Sequence, residues 1–214
     1  AISGQQLITF TRASAGTYVG SDGLIKTATT NEARFDHDPV TGESLGLLVE
    51  EQRSNLLLNS GTLATQDVTV AAVAHTLSFY GSGTVTLSGA HTATVIGTGA
   101  YPARTTLTFT PTAGTLTVTV SGTVEYANLE IGSFATSYIP TTGSTVTRAA
   151  DVASITGANF SSWYRQDEGS IFGDTTSFNS DASENTAGWG IDADDTTNQN
   201  RMWFYHTKNQ YIGS

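Results

Sequence analysis

Cysteine is absent from the 214 residues of this chain. That excludes disulfide staples, thiolate metal sites and cysteine nucleophiles together. A chain of this length buries roughly 70% of its unfolded surface and needs no staple to fold. Positive charge is scarce: Lys+Arg number 9 against 19 Asp+Glu, a formal net charge of -10. A nucleic-acid partner is therefore not expected, because phosphate neutralisation needs a basic patch. No window approaches the roughly 18 apolar residues of a membrane span, so no membrane insertion is expected. Long apolar stripes at helical period are missing too.

Threonine fills about one position in six and glycine is also plentiful, at 22 residues. β-branched threonine suits a pleated, half-solvated surface, and glycine punctuates turns. Thr84-Val85-Thr86-Leu87, Thr106–Thr110 and Thr115–Val120 alternate polar and apolar residues, the period of a strand with one face on a core. Pro111-Thr112-Ala113-Gly114 between the last two runs reads as a hairpin turn, and Gly81-Ser82-Gly83 and Ser88-Gly89 as further turns. The chain is expected to be all-β, with the short strands forming a β-sandwich.

Charge divides the sequence into three. Between residues 60 and 147 the only charged side chains are Asp67, Arg104, Glu125 and Glu130, whereas both flanks are rich in acids and bases. The N-terminal segment 1–60 reads as an arm. It has strand candidates at Thr9–Arg12 and Leu45–Glu50, a turn at Ser21-Asp22-Gly23, a polar loop at Asp36–Gly42, and too few apolar residues to own a core. The segment 148–214 has strand candidates at Ile171-Phe172, Gly188–Ile191 and Met202–Tyr205 between acidic, Asn-rich loops, and it holds all three tryptophans.

Four blocks carry a resemblance: Phe10-Thr11-Arg12-Ala13-Ser14, Gly46–Leu57, Phe134–Thr141 and Val146–Asp151. Together they resemble a family of phage and prophage tail-fibre or virion-appendage proteins. The resemblance implies a jelly-roll, carbohydrate-binding-module-like β-sandwich over 61–147 behind an N-terminal extended arm used for packing and assembly. It also implies the start of a concanavalin A or laminin-G-like sandwich over 148–214, truncated at Ser214, with Ser161–Tyr164 and Glu168–Phe172 as its opening strands. By the same analogy the protein belongs to the virion, outside the cell once assembled. Its partners would be a glycan or polysaccharide, other virion subunits and copies of itself, a trimer being favoured.

No catalytic motif accompanies these features. Glu50-Glu51, Asp167-Glu168 and Asp194-Asp195 are adjacent acids, and strand neighbours point to opposite faces, the wrong spacing for a glycosidase pair. No Gly-x-Ser-x-Gly elbow is present. The protein is expected not to be an enzyme, and its sites to be sugar contacts. Sugar rings offer an apolar face to aromatic side chains and hydroxyls to polar ones. Trp163, Tyr164, Trp189, Trp203 and Tyr205, with Asn200 and Arg201, are the expected carbohydrate-binding residues. The competing reading places Trp203 and Tyr205 in a core. Tyr80, Tyr101 and Tyr126 are alternative platforms in the middle segment. No cofactor is certain. Structural calcium is the candidate, with Asp192, Asp194 and Asp195 as ligands. A solvated acidic turn competes, because the glycine and terminal Glu of an EF-hand loop are missing. Asp36 and Asp38 form a weaker set. Two functions remain: non-catalytic glycan adhesion, or a purely architectural virion role.

Overall fold

The computed structural model describes residues 8–162, 164–165, 186–192 and 201–206, the last two ranges as backbone. The chain divides into two compact units, Ala1–Tyr164 and Arg165–Ser214. In chain order the strands of the first unit begin with β1 (Thr9–Thr11), β2 (Gly16–Val19), β3 (Ile25–Ala28), β4 (Phe35–His37), β5 (Ser44–Leu47) and β6 (Arg53–Asn55). There follow β7 (Gln66–Val70), β8 (His75–Tyr80), β9 (Thr84–Gly89), β10 (Ala93–Ile96), β11 (Thr105–Phe109), β12 (Gly114–Ser121) and β13 (Glu125–Ile131). β14 (Val146–Arg148), β15 (Val152–Ser154) and a helical turn, α1 (Ala158–Ser161), complete it. In the second unit β16 (Thr186–Asp192) and β17 (Arg201–His206) pair antiparallel.

Alternation explains the centre of the first unit. Val85 and Leu87 of β9 and Leu116 and Val118 of β12 are buried, while the threonines between them face outward or lie half-covered. The four-stranded sheet runs β10-β9-β12-β7, and a three-stranded sheet runs β11-β8-β13. Both feed one apolar cluster that includes Val68, Leu77, Phe79, Val85, Leu116 and Leu129. Close backbone approach at one end requires glycine. A Cβ on Gly81 (φ 114°) would meet the Thr123 carbonyl oxygen at 2.1 Å, and one on Gly97 would meet that of Gly81 at 2.0 Å.

β8 departs from simple alternation, because five of its six residues are buried. Its second face, carrying Thr76, Ser78 and Tyr80, is roofed rather than solvated. Thr76 donates to the Gly132 carbonyl at 2.8 Å, and Arg104 bridges Ser78 Oγ and the Thr136 carbonyl, both at 2.7 Å. This roofed polar face positions the site described below.

Several expectations are corrected. The all-β class stands, but the jelly-roll β-sandwich does not. A jelly roll winds eight strands into two four-stranded sheets, whereas here the sheets hold two to four strands and none is closed or curled. The N-terminal segment is not an extended arm. It forms the β2–β3 and β4–β5 hairpins, and β1 and β6 pair with β15 and β14. Its Leu57 is fully buried in the central cluster. The turn at Pro111–Gly114 joins no hairpin, since β11 pairs with β8 and β12 with β7 and β9, so it carries the chain from one sheet to the other. Ser161 closes the helical turn α1 rather than opening a strand, and Glu168–Phe172 lie outside the described residues. Among the described residues of 165–214 a single two-stranded sheet stands where part of a lectin-like sandwich was expected.

Candidate functional site

Charged side chains gather under the roof of β8. Arg12, Arg34 and Arg148 are at most 1% exposed, and Asp151 and Glu130 are buried with them. Asp151 Oδ1 accepts from Arg12 Nη1 at 3.0 Å, while Oδ2 accepts from Arg34 Nη2 and from the Glu50 backbone N–H. Glu50 Oε2 lies 2.7 Å from Arg34 Nη1 and 3.1 Å from Arg148 Nη1, and its Oε1 accepts from the Ser137 N–H. Glu130 accepts from both the Thr136 N–H and hydroxyl. Three guanidinium groups thus pair with two carboxylates, Asp151 and Glu50, and the buried Glu130 adds a third negative charge that acts on Arg148 from further off. Burial pulls the Arg148 guanidinium below its ordinary value, and Glu50 opposes that pull.

Two charges of the Gly46–Leu57 block go separate ways. Glu50 joins the cluster, while Arg53 pairs with Glu51 and sits over the Phe134 ring at 4.9 Å. Arg12, Glu50, Ser137 and Asp151 come from the four blocks singled out in the sequence, so those blocks meet in space as a folding lock. Every oxygen of Asp151 and Glu50 accepts at least one hydrogen bond.

At the end of the same face stands a row of tyrosines. Tyr138 and Tyr126 meet edge to face at 5.3 Å, Tyr126 and Tyr80 at 6.3 Å, and Tyr80 and Tyr101 lie tilted at 5.2 Å. Arg104 sits 5.9 Å over the Tyr80 ring. The outer phenols are anchored: Tyr101 donates to the Gly23 carbonyl at 2.8 Å, and Tyr138 shares a 3.0 Å bond with Ser60. Tyr80 and Tyr126 have no hydroxyl partner among the described residues, and Tyr126 is 37% exposed. Burial raises the phenol pKa of Tyr80 and Tyr138 and, with neighbouring Tyr80 and carboxylates, pushes that of Tyr101 up to about 12.

Backbone irregularity puts Tyr126 there. The pairing of β13 with β8 shifts register between Glu125 and Asn128, and Tyr126 takes φ 47°. A bulky residue at positive φ is an outlier that surrounding structure must hold in place. A bulge re-aims a side chain, and here it turns one aromatic ring out of the sheet between two others. The sequence named Tyr80, Tyr101 and Tyr126 as platforms. It missed Tyr138, the bulge that assembles the row, and the ion cluster beside it.

The expected sites lie elsewhere. Tyr164 is 47% exposed and stacks on Phe160 at 4.4 Å. Trp163, Asn200, Asp194 and Asp195 lie outside the described residues. Trp189, Trp203, Tyr205, Arg201 and Asp192 belong to β16 and β17, where the backbone register sets Trp189 opposite Phe204, Trp203 opposite Gly190, Tyr205 opposite Ala187 and Asp192 opposite Arg201. Their side chains fall outside the description. Asp36 ties β4 to β2 by accepting from the Val19 N–H, and Asp38 serves a turn by accepting from the Val40 and Thr41 N–H groups. Among the described residues no group of three metal-ligating side chains occurs. No helix there is long and apolar enough to cross a membrane.

Comparison with protein-family models, curated proteins and solved structures returns no match. With open sheets in place of the implied jelly roll, the resemblance to tail-fibre proteins is corrected. The phage, virion and lectin assignments that rested on it lose their footing.

Proposed function

We propose that this chain binds a glycan or polysaccharide without catalysis, along the row Tyr138–Tyr126–Tyr80–Tyr101. The observation that carries the reading is Tyr126, whose exposed ring is held at positive φ by a bulge. Strain of this kind concentrates at binding sites. An exposed tyrosine offers an apolar face for a sugar ring, and the unpartnered hydroxyls of Tyr80 and Tyr126 supply hydrogen bonds at its rim. The non-catalytic part of the reading is supported by Glu50 and Asp151, whose carboxylates are committed to holding buried arginines together.

Affinity electrophoresis through gels carrying soluble polysaccharides tests this. At least one polysaccharide should retard the protein, and Tyr126→Ala should abolish the retardation. Free migration through every gel, or unchanged retardation of the variant, overturns the reading. A purely architectural role is what a uniformly negative panel would leave.

Self-association belongs to the same proposal. Val40, Leu45 and Val49 expose between 48% and 78% of their surface on and beside the β4–β5 hairpin, apolar surface that a second copy would cover. A monodisperse species of 22.4 kDa in light scattering overturns it.

A further inference from the structure

We propose that a second concavity, in the N-terminal segment, takes a single neutral sugar residue as a terminal subsite; this rests on the glycan-binding reading of the tyrosine row. The concavity has a volume of about 340 Å³ and is walled by Tyr18 of β2, Asp22 of the β2–β3 turn, Lys26 of β3, and Phe35 and His37 of β4. It shares no lining residue with the tyrosine row. Its size falls at the small end of ligand sites, which run from about 300 to 1,000 Å³.

The polar groups on its wall define the ligand. Lys26 Nζ lies 2.6 Å from Asp22 Oδ2. Gly20 makes room for this pair, since a Cβ there would come within 2.9 Å of Asp22 Oδ1 and 3.0 Å of Lys26 Cγ. His37 Nδ1 stands 3.1 Å from the Val19 carbonyl oxygen. A carbonyl only accepts, so Nδ1 carries a proton, and in the Nδ1–H tautomer Nε2 is the acceptor. Phe35, 57% exposed, supplies an apolar wall.

A ligand satisfying these groups donates to His37 Nε2 and Asp22, accepts from Lys26, and lays an apolar face on Phe35. Adjacent hydroxyls on one sugar ring do all of this. A carboxylate ligand would have to take Lys26 from Asp22, and an ammonium ligand would have to take Asp22 from Lys26. The internally neutral pair therefore favours an uncharged ring.

The test follows the His37 imidazole by nitrogen-edited NMR in the full chain, titrated with the methyl glycosides of glucose, galactose and mannose. Methyl glucuronide and glucosamine serve as charged comparators. At least one neutral glycoside should shift the Nε2 resonance saturably, with no comparable shift from the charged sugars. Phe35→Ala, at an exposed position, should weaken that binding by about tenfold or more, and Lys26→Met should weaken it without touching the aromatic wall. Tyr126→Ala should leave it unchanged. No shift from any neutral glycoside, a response confined to a charged sugar, or an unaffected Phe35→Ala variant overturns the subsite. Polysaccharide retardation with a silent His37 sinks the subsite alone. A responsive His37 without polysaccharide retardation sinks the tyrosine-row reading alone.

Discussion

Arg12 and Asp151 stand 139 positions apart in the chain and close an ion pair at 3.0 Å, with neither side chain exposed. The pair fastens β1 to the segment behind it, where Thr9–Thr11 already align with Val152–Ser154. Arg34 binds the second oxygen of the same carboxylate. One aspartate thus holds the N-terminal segment against the residues that follow β14.

Asp151→Ala should be among the most destabilising single substitutions in the chain. It leaves the buried Arg12 with no carboxylate, Arg34 with Glu50 alone, and the Glu50 N–H unmet, and breaking a buried pair from one side costs about 3–5 kcal/mol. Asp151→Asn keeps the shape but removes the charge and should recover only part of that loss. Urea midpoints of the three proteins decide it. A fall below about 1 kcal/mol for the alanine variant would demote the cluster to a surface-like role.

Asn55 holds a comparable position without charge. Its Nδ2 donates to the Ala127 and Ile139 carbonyls at 2.8 Å, and its Oδ1 accepts from the Leu57 and Leu129 N–H groups. Asn55→Ala takes a partner from four buried backbone groups, of which the Ile139 carbonyl keeps only a long 3.5 Å bond from Ser60 Oγ, and each group left unmet costs about 1–3 kcal/mol. A loss of at least about 3 kcal/mol in denaturant unfolding is expected. Asn55→Asp should also destabilise, because it sets a carboxylate against two carbonyl oxygens.

What the sequence made legible follows from period and from turns. Val85, Leu87, Leu116 and Val118 alternate with threonine and are buried as alternation requires. The Pro111–Gly114 turn was recognisable as a turn, yet local residues do not say which sheet the next strand joins. That choice belongs to long-range pairing. Asn55 sits in an apolar run whose local pattern suits a strand or a helical turn, and its four backbone partners come from as far as Ile139. The tyrosine row required a bulge at Glu125–Asn128 that shifts register by tertiary fit. The charged blocks were visible as blocks, but only the fold shows that their charges neutralise one another.

Tyr126→Gly separates stability from binding. Glycine adopts φ 47° freely, so the substitution relieves backbone strain of about 1 kcal/mol or more while deleting a partly exposed ring. The urea midpoint should stay within about 1 kcal/mol of the parent or rise, while retardation by polysaccharide disappears. A strongly destabilised glycine variant would mean that the ring serves the fold and its strained backbone serves nothing beyond it.

Alkaline pH should loosen the same corner of the molecule. Burial, then Tyr80 and the carboxylates of Asp36, Asp22 and Asp38, raise the Tyr101 phenol from its ordinary 10.0 to about 12. Tyr80 and Tyr138 move in the same direction, burial first. In the unfolded chain these phenols ionise near 10.0, while the folded chain holds the Tyr101 proton until about 12. Between those values the folded state binds more protons than the unfolded one, so stability falls as pH rises. The contribution is fully present below 10.0 and is lost by about 12. The chemistry agrees with the sign, since a phenolate cannot donate to the Gly23 carbonyl as Tyr101 now does at 2.8 Å. Urea midpoints measured across this window should decline, and Tyr101→Phe, which cannot ionise, should decline less steeply than the parent. An absorbance titration of tyrosinate should show at least one phenol ionising late in the folded protein and on time in urea. A midpoint that rises across the window, or identical slopes for parent and variant, would rule out Tyr101 as the group responsible.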